Sequence, residues 1–330
     1  MKRFRRSVCA GKFLPPHRGH KLLIDTAQEQ SEQVVVIVCE KASDPIPGKL
    51  RAAWLREIHP AAEVMLIDDC YEADDDSELW GRLTIGWLGG APDAVFSSED
   101  YGHTYARAMG CAHMQVDRAR ERVPCSGTAI RRDPFGCWEF LEPPVRGWFA
   151  KRVCVVGAES TGTTTLAETL AARLGTVWVP EYGREYSERK QQRGETEWWS
   201  AEFVEIAAEQ NRREDAAARG ANRILVCDTN SFATRLWHRR YMGSESEAVA
   251  AVATCNRCDL YLLTGDEIPF VQDGLRDGEH IRHEMHEWFV AALEAQAGPW
   301  QLVSGSHEER MEMAMTAIHE HWPALKAVSS

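Results

Sequence analysis

A chain of 330 residues, 44% of them hydrophobic, has the length and apolar content for about two packed domains. Its 50 acidic side chains against 38 basic ones leave a formal net charge of -12, which argues against nucleic acid or an anionic membrane as the main partner. No run approaches the ~18 apolar residues of a membrane span, and the basic start at Lys2 to Arg6 leads into no signal-type apolar core, so a cytoplasmic protein is expected.

Residues 7–11 and 33–39 are continuous apolar runs of strand length, joined by a helical pattern, and such runs predict a parallel sheet covered on both faces. Between them lies GKFLPPHRGH, residues 11–20, a loop shaped for a small anion. Gly11 and Gly19 let the backbone approach a ligand, and the proline pair holds the path extended. His20 falls in the first helical turn, where unpaired amides and the dipole favour phosphate. A helix over 49–58, with Arg51 and Trp54 one turn apart, and strands over 63–67 and 94–96 follow. Aspartates 68, 69, 74, 75 and 76 read as a solvated acidic loop rather than a metal site. In CSGTAIRRDPF, residues 125–135, Ser126, Gly127 and Thr128 cap a helix, and Arg131 one turn on can reach polyphosphate oxygens.

Pro143 and Pro144 break the chain, which places domains at 1–145 and 146–330. A strand at 153–156 then runs into a loop from Gly157 to Gly162 and a helix with Leu166, Leu170 and Leu174 on one face, ended by Gly175. This matches the phosphate-loop pattern G-x-x-x-x-G-K-[ST] at Gly157, Gly162 and Thr164, with Thr163 where the lysine belongs. The amide cradle and the magnesium-binding hydroxyl survive, and the charge on the β,γ-phosphates does not. A short strand in TVWVPE leads into EYGREY at 181–186, and then a Trp- and Glu-rich helix to about Arg219. RILVCDTN puts Asp228 and Thr229 at a strand's carboxyl end, the place of a magnesium-water ligand or general base. After the strand DLYLLT, residues 269–282 form a loop with Arg276 and Arg282 suited to a lid over phosphates, and WQLVSG and a terminal helix close the chain. The ten cysteines, the CxxC of Cys255 and Cys258 included, read as packing residues.

The spacing of Gly11, Phe13, Pro15, His17, Gly19 and His20 resembles the Gly-x-Phe-x-Pro-x-His-x-Gly-His signature of the nucleotidyltransferase superfamily, which transfers a nucleoside monophosphate from ATP or CTP to an acceptor. CSGTAIRR looks like the motif that closes the same ATP site, with Cys125 in place of the usual isoleucine, and SSEDYG at 97–102 resembles a strand end of pyridine-nucleotide adenylyltransferases. Together with PEYGREY, CDTN and PFVQDGLR, the chain resembles the NadR family, nicotinamide-nucleotide adenylyltransferases fused to a ribosylnicotinamide kinase.

The resemblance implies an α/β architecture, a Rossmann-like nucleotidyltransferase domain followed by a P-loop kinase domain, both with mainly parallel sheets. It implies ATP, nicotinamide mononucleotide (NMN), nicotinamide riboside and NAD as ligands, Mg²⁺ as the cofactor, and no nucleic acid or membrane partner; a homo-oligomer stays open. In the first domain His17 and His20 would be catalytic, with Gly11, Phe13, Gly19, Ser126, Thr128 and Arg131 on the nucleotide. In the second, Gly157, Ser160, Gly162, Thr163, Thr164, Thr165, Arg184 and Arg276 would hold ATP, Asp228 or Glu181 would take the substrate proton, and Thr164 and Asp228 would hold the metal. Arg276 or Arg184 is expected to stand in for the missing lysine. Some family members begin with a helix-turn-helix repressor domain; with the histidine loop at residue 11, DNA-binding regulation is not expected.

Overall fold

The computed structural model describes residues 2–71 and 76–325. The chain divides into two compact units, one ending at Val145 and the other starting at Arg146.

The first unit runs β1 (Phe4–Gly11), α1 (Arg18–Gln30), β2 (Ser31–Glu40), α2 (Gly48–Ile58), β3 (Glu63–Asp68), α3 (Ser77–Leu88), β4 (Ala94–Ser97), α4 (Tyr101–Met109), β5 (Ala112–Gln115) and α5 (Gly127–Arg132). Among the described residues its sheet has five strands in the order β3-β2-β1-β4-β5, all neighbours parallel. Successive residues of β2 feed opposite cores, as the strand's period of two requires. Val34, Val36 and Val38 pack with Leu23, Ile24, Ala52 and Leu55 on one face, and Val35 and Ile37 pack with Tyr105, Ala106 and Met109 on the other. Both faces are covered, which is why the strand reads as an unbroken apolar run. The chain leaves β1 toward β2 and returns later to β4 on its other side, so the loop after Gly11 opens at a topological switch point.

α6 (Pro143–Phe149) bridges the boundary between the units, and the second unit continues with β6 (Lys151–Val156), α7 (Thr163–Leu174), β7 (Trp178–Val179), α8 (Tyr182–Gln192), α9 (Ser200–Ala218), β8 (Ile224–Asp228), α10 (Ser231–Met242), α11 (Glu247–Thr254), β9 (Leu260–Thr264), α12 (Arg282–Ala295), β10 (Trp300–Val303) and α13 (His307–His321). Its strands are parallel in the order β10-β9-β6-β8-β7, again five among the described residues, with β6 at the centre.

Several local expectations are corrected. The proline pair of the first loop is not simply extended, since the Leu14–Pro15 peptide is cis. Pro143 and Pro144 open α6 instead of breaking the chain, because the first helical turn has no use for the N–H that proline lacks. The helix expected after EYGREY begins only at Ser200, as α9; EYGREY itself opens a separate helix, α8, and the two are parted where Gly194 takes φ 72°. The acidic stretch is not uniformly solvated: Asp69 is buried 3.7 Å from the Lys41 ammonium, and Asp76 caps α3 by accepting from the Glu78 and Leu79 amides. Asp74 and Asp75 lie outside the described residues.

Candidate active sites

In the first unit the histidine loop closes on α1. His17 is the helix N-cap, and its Nδ1 accepts the Gly19 N–H at 3.1 Å. In the neutral ring the proton therefore resides on Nε2. A Cβ at Gly19 would stand 2.9 Å from the His17 ring, so the glycine is what lets the ring lie there. The two imidazoles stack with centroids 3.7 Å apart, and Phe13, itself at φ 47°, meets the edge of His20 at 4.9 Å. Burial and the nearby Arg120 guanidinium push His17 down to about 4. Burial, then His17, then Arg120 hold His20 well below its ordinary value. Both rings are thus neutral at pH 7 and present N–H donors without charge.

Ser126 Oγ caps α5 by accepting the Ala129 amide at 3.1 Å, and a Cβ at Gly127 would press within 2.5 Å of the Leu14 carbonyl. The glycine is needed for α5 to lie on the loop. Arg131, exposed on α5, donates to the Leu14 carbonyl and, at 3.2 Å, to Thr128 Oγ1, which ties α5 to the loop. Cys125 Sγ lies 3.3 Å from His17 Nδ1. Sequence reasoning put Arg51 on a helix but missed its role: fully buried, it holds the Lys12, Ile46 (2.9 Å) and Cys39 (3.1 Å) carbonyls and pairs with Asp44 at 2.7 Å. A cavity of about 380 Å³ opens beside Gly11, lined by Lys12, Asp69, Trp80 and Tyr101 among others, within the size range of small-ligand sites. The Tyr101 hydroxyl fixes this wall by donating to the Ala10 carbonyl at 2.8 Å.

In the second unit the loop from β6 to α7 is drawn tight. Gly157 has no room for a Cβ, which would collide with Thr264 Oγ1 and Thr161 Oγ1, and Ser160 and Gly162 take φ 59° and 83°. A non-glycine residue at positive φ is strain of the kind that clusters at ligand clamps. Thr164 Oγ1 donates to Asp228 Oδ2 at 2.6 Å, while Asp228 Oδ1 is buried with no partner among the described residues. Thr229, at φ 63°, turns the chain at once after Asp228. Burial raises the Asp228 carboxyl, and burial together with the Asp228 charge raises Glu181 to about 8.

Glu159, Ser160, Thr163, Thr164, Glu181, Arg184 and Arg276 share one cavity, walled on its far side by Trp198, Phe203, Trp237 and Tyr241. Gly162 and Thr165 do not line it; Gly162 shapes the turn, and Thr165 is exposed on α7. Arg184 pairs with Asp273 at 2.7 Å and Glu188 at 3.2 Å, not with Glu181. Arg276 reaches Ser160 Oγ at 3.3 Å, so the 269–282 loop rests on the phosphate loop. The aromatic wall was not legible, because its members come from α9, α10 and the turn before α9. Gln210 was missed as well: its Oε1 accepts the Tyr182 amide at 2.9 Å and its Nε2 donates to Glu214 at 3.1 Å, tying α9 to the residue next to Glu181.

Residues 8–133 match the cytidylyltransferase-like family and residues 152–310 an AAA domain family. The trifunctional NAD biosynthesis/regulator protein NadR of Escherichia coli is 28% identical over 312 residues, 87% of this chain and 76% of the relative. Its Salmonella typhimurium counterpart is 27% identical over 292 residues, 82% and 71% of the two chains. The chain is NadR-like. Two solved NadR structures show the same fold over 96% of each chain: one in complex with NAD and AMP-PNP, with a TM-score of 0.75 at 21% identity, and one in complex with NR, with a TM-score of 0.78 at 22% identity. The architecture is therefore a Rossmann-like nucleotidyltransferase fold followed by a P-loop fold.

Among the described residues no group of three or more His, Cys, Asp or Glu side chains is arranged to hold a metal, and no helix is long and apolar enough to cross a membrane. A magnesium ion bound mainly through phosphate oxygens and water needs less from the protein, and the unpartnered Asp228 Oδ1 beside the Thr164 hydroxyl fits that role.

Proposed function

We propose that the chain makes NAD in two steps, the domain of residues 1–145 joining NMN and ATP into NAD and pyrophosphate, and the domain of residues 146–330 phosphorylating nicotinamide riboside to NMN. The observation that carries the first step is the stacked, neutral His17 and His20 pair at the start of α1. The NMN phosphate attacks the ATP α-phosphorus in line, the bond from that phosphorus to the α,β-bridging oxygen breaks, and the β- and γ-phosphates leave together as pyrophosphate. The two imidazole donors and the α1 amides stabilise the charge that grows on the transferred and departing phosphates. Ser126, Thr128 and Arg131 hold the same nucleotide, and the cavity beside Gly11, with Trp80 and Tyr101, takes the pyridine ring of the acceptor.

In the second domain the amides of Gly157 to Thr164 cradle ATP. Glu181, or Asp228, accepts the proton of the riboside 5'-hydroxyl as that oxygen attacks the γ-phosphorus, and ADP leaves. Thr164 and Asp228 would hold magnesium, which would supply charge neutralisation on the phosphates. The aromatic wall suits a flat cation such as the pyridinium of the riboside: it already draws cationic side chains, Lys190 over Trp198 at 4.8 Å and Arg240 over Tyr241 at 4.9 Å. One observation favours a second reading, adenylyl transfer alone with a P-loop domain that only binds nucleotide: Thr163 in the lysine position. Incubating the protein with ATP, Mg²⁺ and either NMN or the riboside, with products identified by mass, tests both. Absence of NAD from NMN would refute the first step, and absence of riboside phosphorylation would leave the second reading.

Two further results are expected. Since Glu181 must be ionised to accept a proton and its carboxyl lies at about 8 without ligands, the kcat/KM for riboside phosphorylation rises with pH through that region, and Glu181→Gln flattens the limb. The same shift gives a stability signature. Between 4.5 and about 8 the folded chain holds a proton that the unfolded chain has released, so this group's contribution to stability falls as pH rises through that window. Chemical denaturation at several pH values, without nucleotide, compares wild type with Glu181→Gln. A second result concerns the domains: a chain ending at residue 150 still forms NAD from NMN, because the first unit has its own two-faced core. A soluble, folded and inactive fragment would contradict it.

A further inference from the structure

The second cavity is short of positive charge. It is lined by the Glu159 and Glu181 carboxyls, with Asp228 just behind Thr164, all three raised by burial, and the phosphate loop that frames it brings Thr163 instead of a lysine. ATP adds a triphosphate to this field, so a cation from elsewhere in the fold must face the β,γ-phosphates. Five arginines stand around the loop among the described residues, and their contacts separate them.

Arg310 is buried, with its guanidinium on the carbonyls of Thr161 (2.6 Å) and Gly265 (3.1 Å) and on Glu267 (2.6 Å), so it grips the loop by its carbonyl side, away from the amide cradle. Arg282 likewise donates to the Ser160 carbonyl at 3.1 Å. Arg240 belongs to Glu159, at 3.5 Å, and Asp277. None of these three lines the cavity. Arg184 and Arg276 do, but Arg184 is neutralised by two carboxylates, Asp273 and Glu188. Arg276 has one, Asp273, at the longer distance of 3.4 Å; its Nη1 donates to the Val271 carbonyl of its own segment at 2.5 Å and reaches Ser160 Oγ, at the lip of the loop, at 3.3 Å.

We propose that Arg276 is the catalytic cation of the riboside kinase, its guanidinium taking the place on the β,γ-phosphate oxygens that the lysine of the usual phosphate loop would take from position 163. The inference rests on the kinase reading above. It explains why the loop machinery is kept around a threonine: the charge has moved from the helix start to the 269–282 segment, which rests on the loop through Ser160 and through the Gly278 amide on Glu159 Oε2 at 2.6 Å. A guanidinium in that position can bind two phosphate oxygens at once, which a lysine cannot.

The test uses the full-length protein and riboside-dependent ADP release, a product only the kinase step makes, with NAD formation from NMN as the control for folding. Arg276→Met is expected to lower riboside-dependent kcat by ~10²-fold or more and to leave NAD formation unchanged. Thr163→Lys added to Arg276→Met is expected to regain at least ~10-fold, which a merely structural role for Arg276 would not allow. An Arg276→Met rate within about threefold of wild type overturns the proposal, as does the absence of any regain in the double variant. Riboside phosphorylation that starts only once Thr163→Lys is introduced overturns it too, while keeping the domain a kinase by descent. No phosphorylation in any variant refutes the kinase reading itself.

Discussion

Replacing Asp228 by asparagine is expected to cut riboside phosphorylation by ~10³-fold or more, with NAD formation from NMN unaffected. The carboxylate sits at the end of β8 with one oxygen on the Thr164 hydroxyl and the other buried and unpartnered among the described residues. A buried polar atom left without a partner costs on the order of 1–3 kcal/mol, and more for a charged group, so its retention points to a ligand that completes it. Asparagine keeps the shape and the contact to Thr164 but removes the negative charge that would orient a magnesium-bound water. Because the change is nearly isosteric, thermal stability should hold or rise; burial already disfavours the ionised form. Steady-state assays of riboside-dependent ADP release, paired with a melting curve, check both halves. Kinase activity near that of wild type would remove Asp228 from the site.

His20→Ala is expected to lower kcat for NAD formation by ~10²-fold or more, with little change in the KM for NMN. The ring is stacked on His17 and neutral, so what alanine removes is an N–H donor aimed at charge that develops in the transition state, not a fixed cation that binds the ground state. His17→Ala should cost as much or more, since it also uncaps α1, where Nδ1 accepts the Gly19 amide. Rates measured at saturating ATP and NMN, with circular dichroism as the check on folding, decide the matter. Normal turnover by His20→Ala would take the histidine loop out of the chemistry.

The chemistry-bearing stretches were legible because each is local. Glycines that admit a backbone turn, a histidine that caps the helix it precedes, and a threonine in the first turn of α7 act within a few residues of one another, so spacing alone carries the signal. The parallel sheets were legible for a related reason: β2 and β6 are buried on both faces, and a strand so placed must be apolar throughout. Where local patterns were weak the reading stopped short. β5 is four residues long with none of them fully buried, and the helices α3, α4, α10, α11 and α12 carry mixed faces that periodicity in a single sequence left unclaimed.

What the sequence by itself determined, then, is the presence of two phosphate-binding loops, the strands that launch them, and the one position where a lysine is replaced by Thr163. Tertiary structure alone decided what surrounds those loops. The closeness of Glu181 to Asp228, whose charge adds to burial in raising the Glu181 carboxyl, joins the end of β7 to the end of β8 across 47 residues of chain, and no spacing rule encodes it. Trp198, Trp237 and Tyr241 become one wall only when α9 and α10 pack together, and Arg131 becomes a tie on the Leu14 carbonyl only when α5 lies against the first loop. Arg184 and Arg276 look alike as arginines in polar segments. Their difference, two carboxylate partners against one and a seat on Ser160, is a matter of distances between side chains far apart in sequence, because Coulomb energy and hydrogen bonding depend on separation in space.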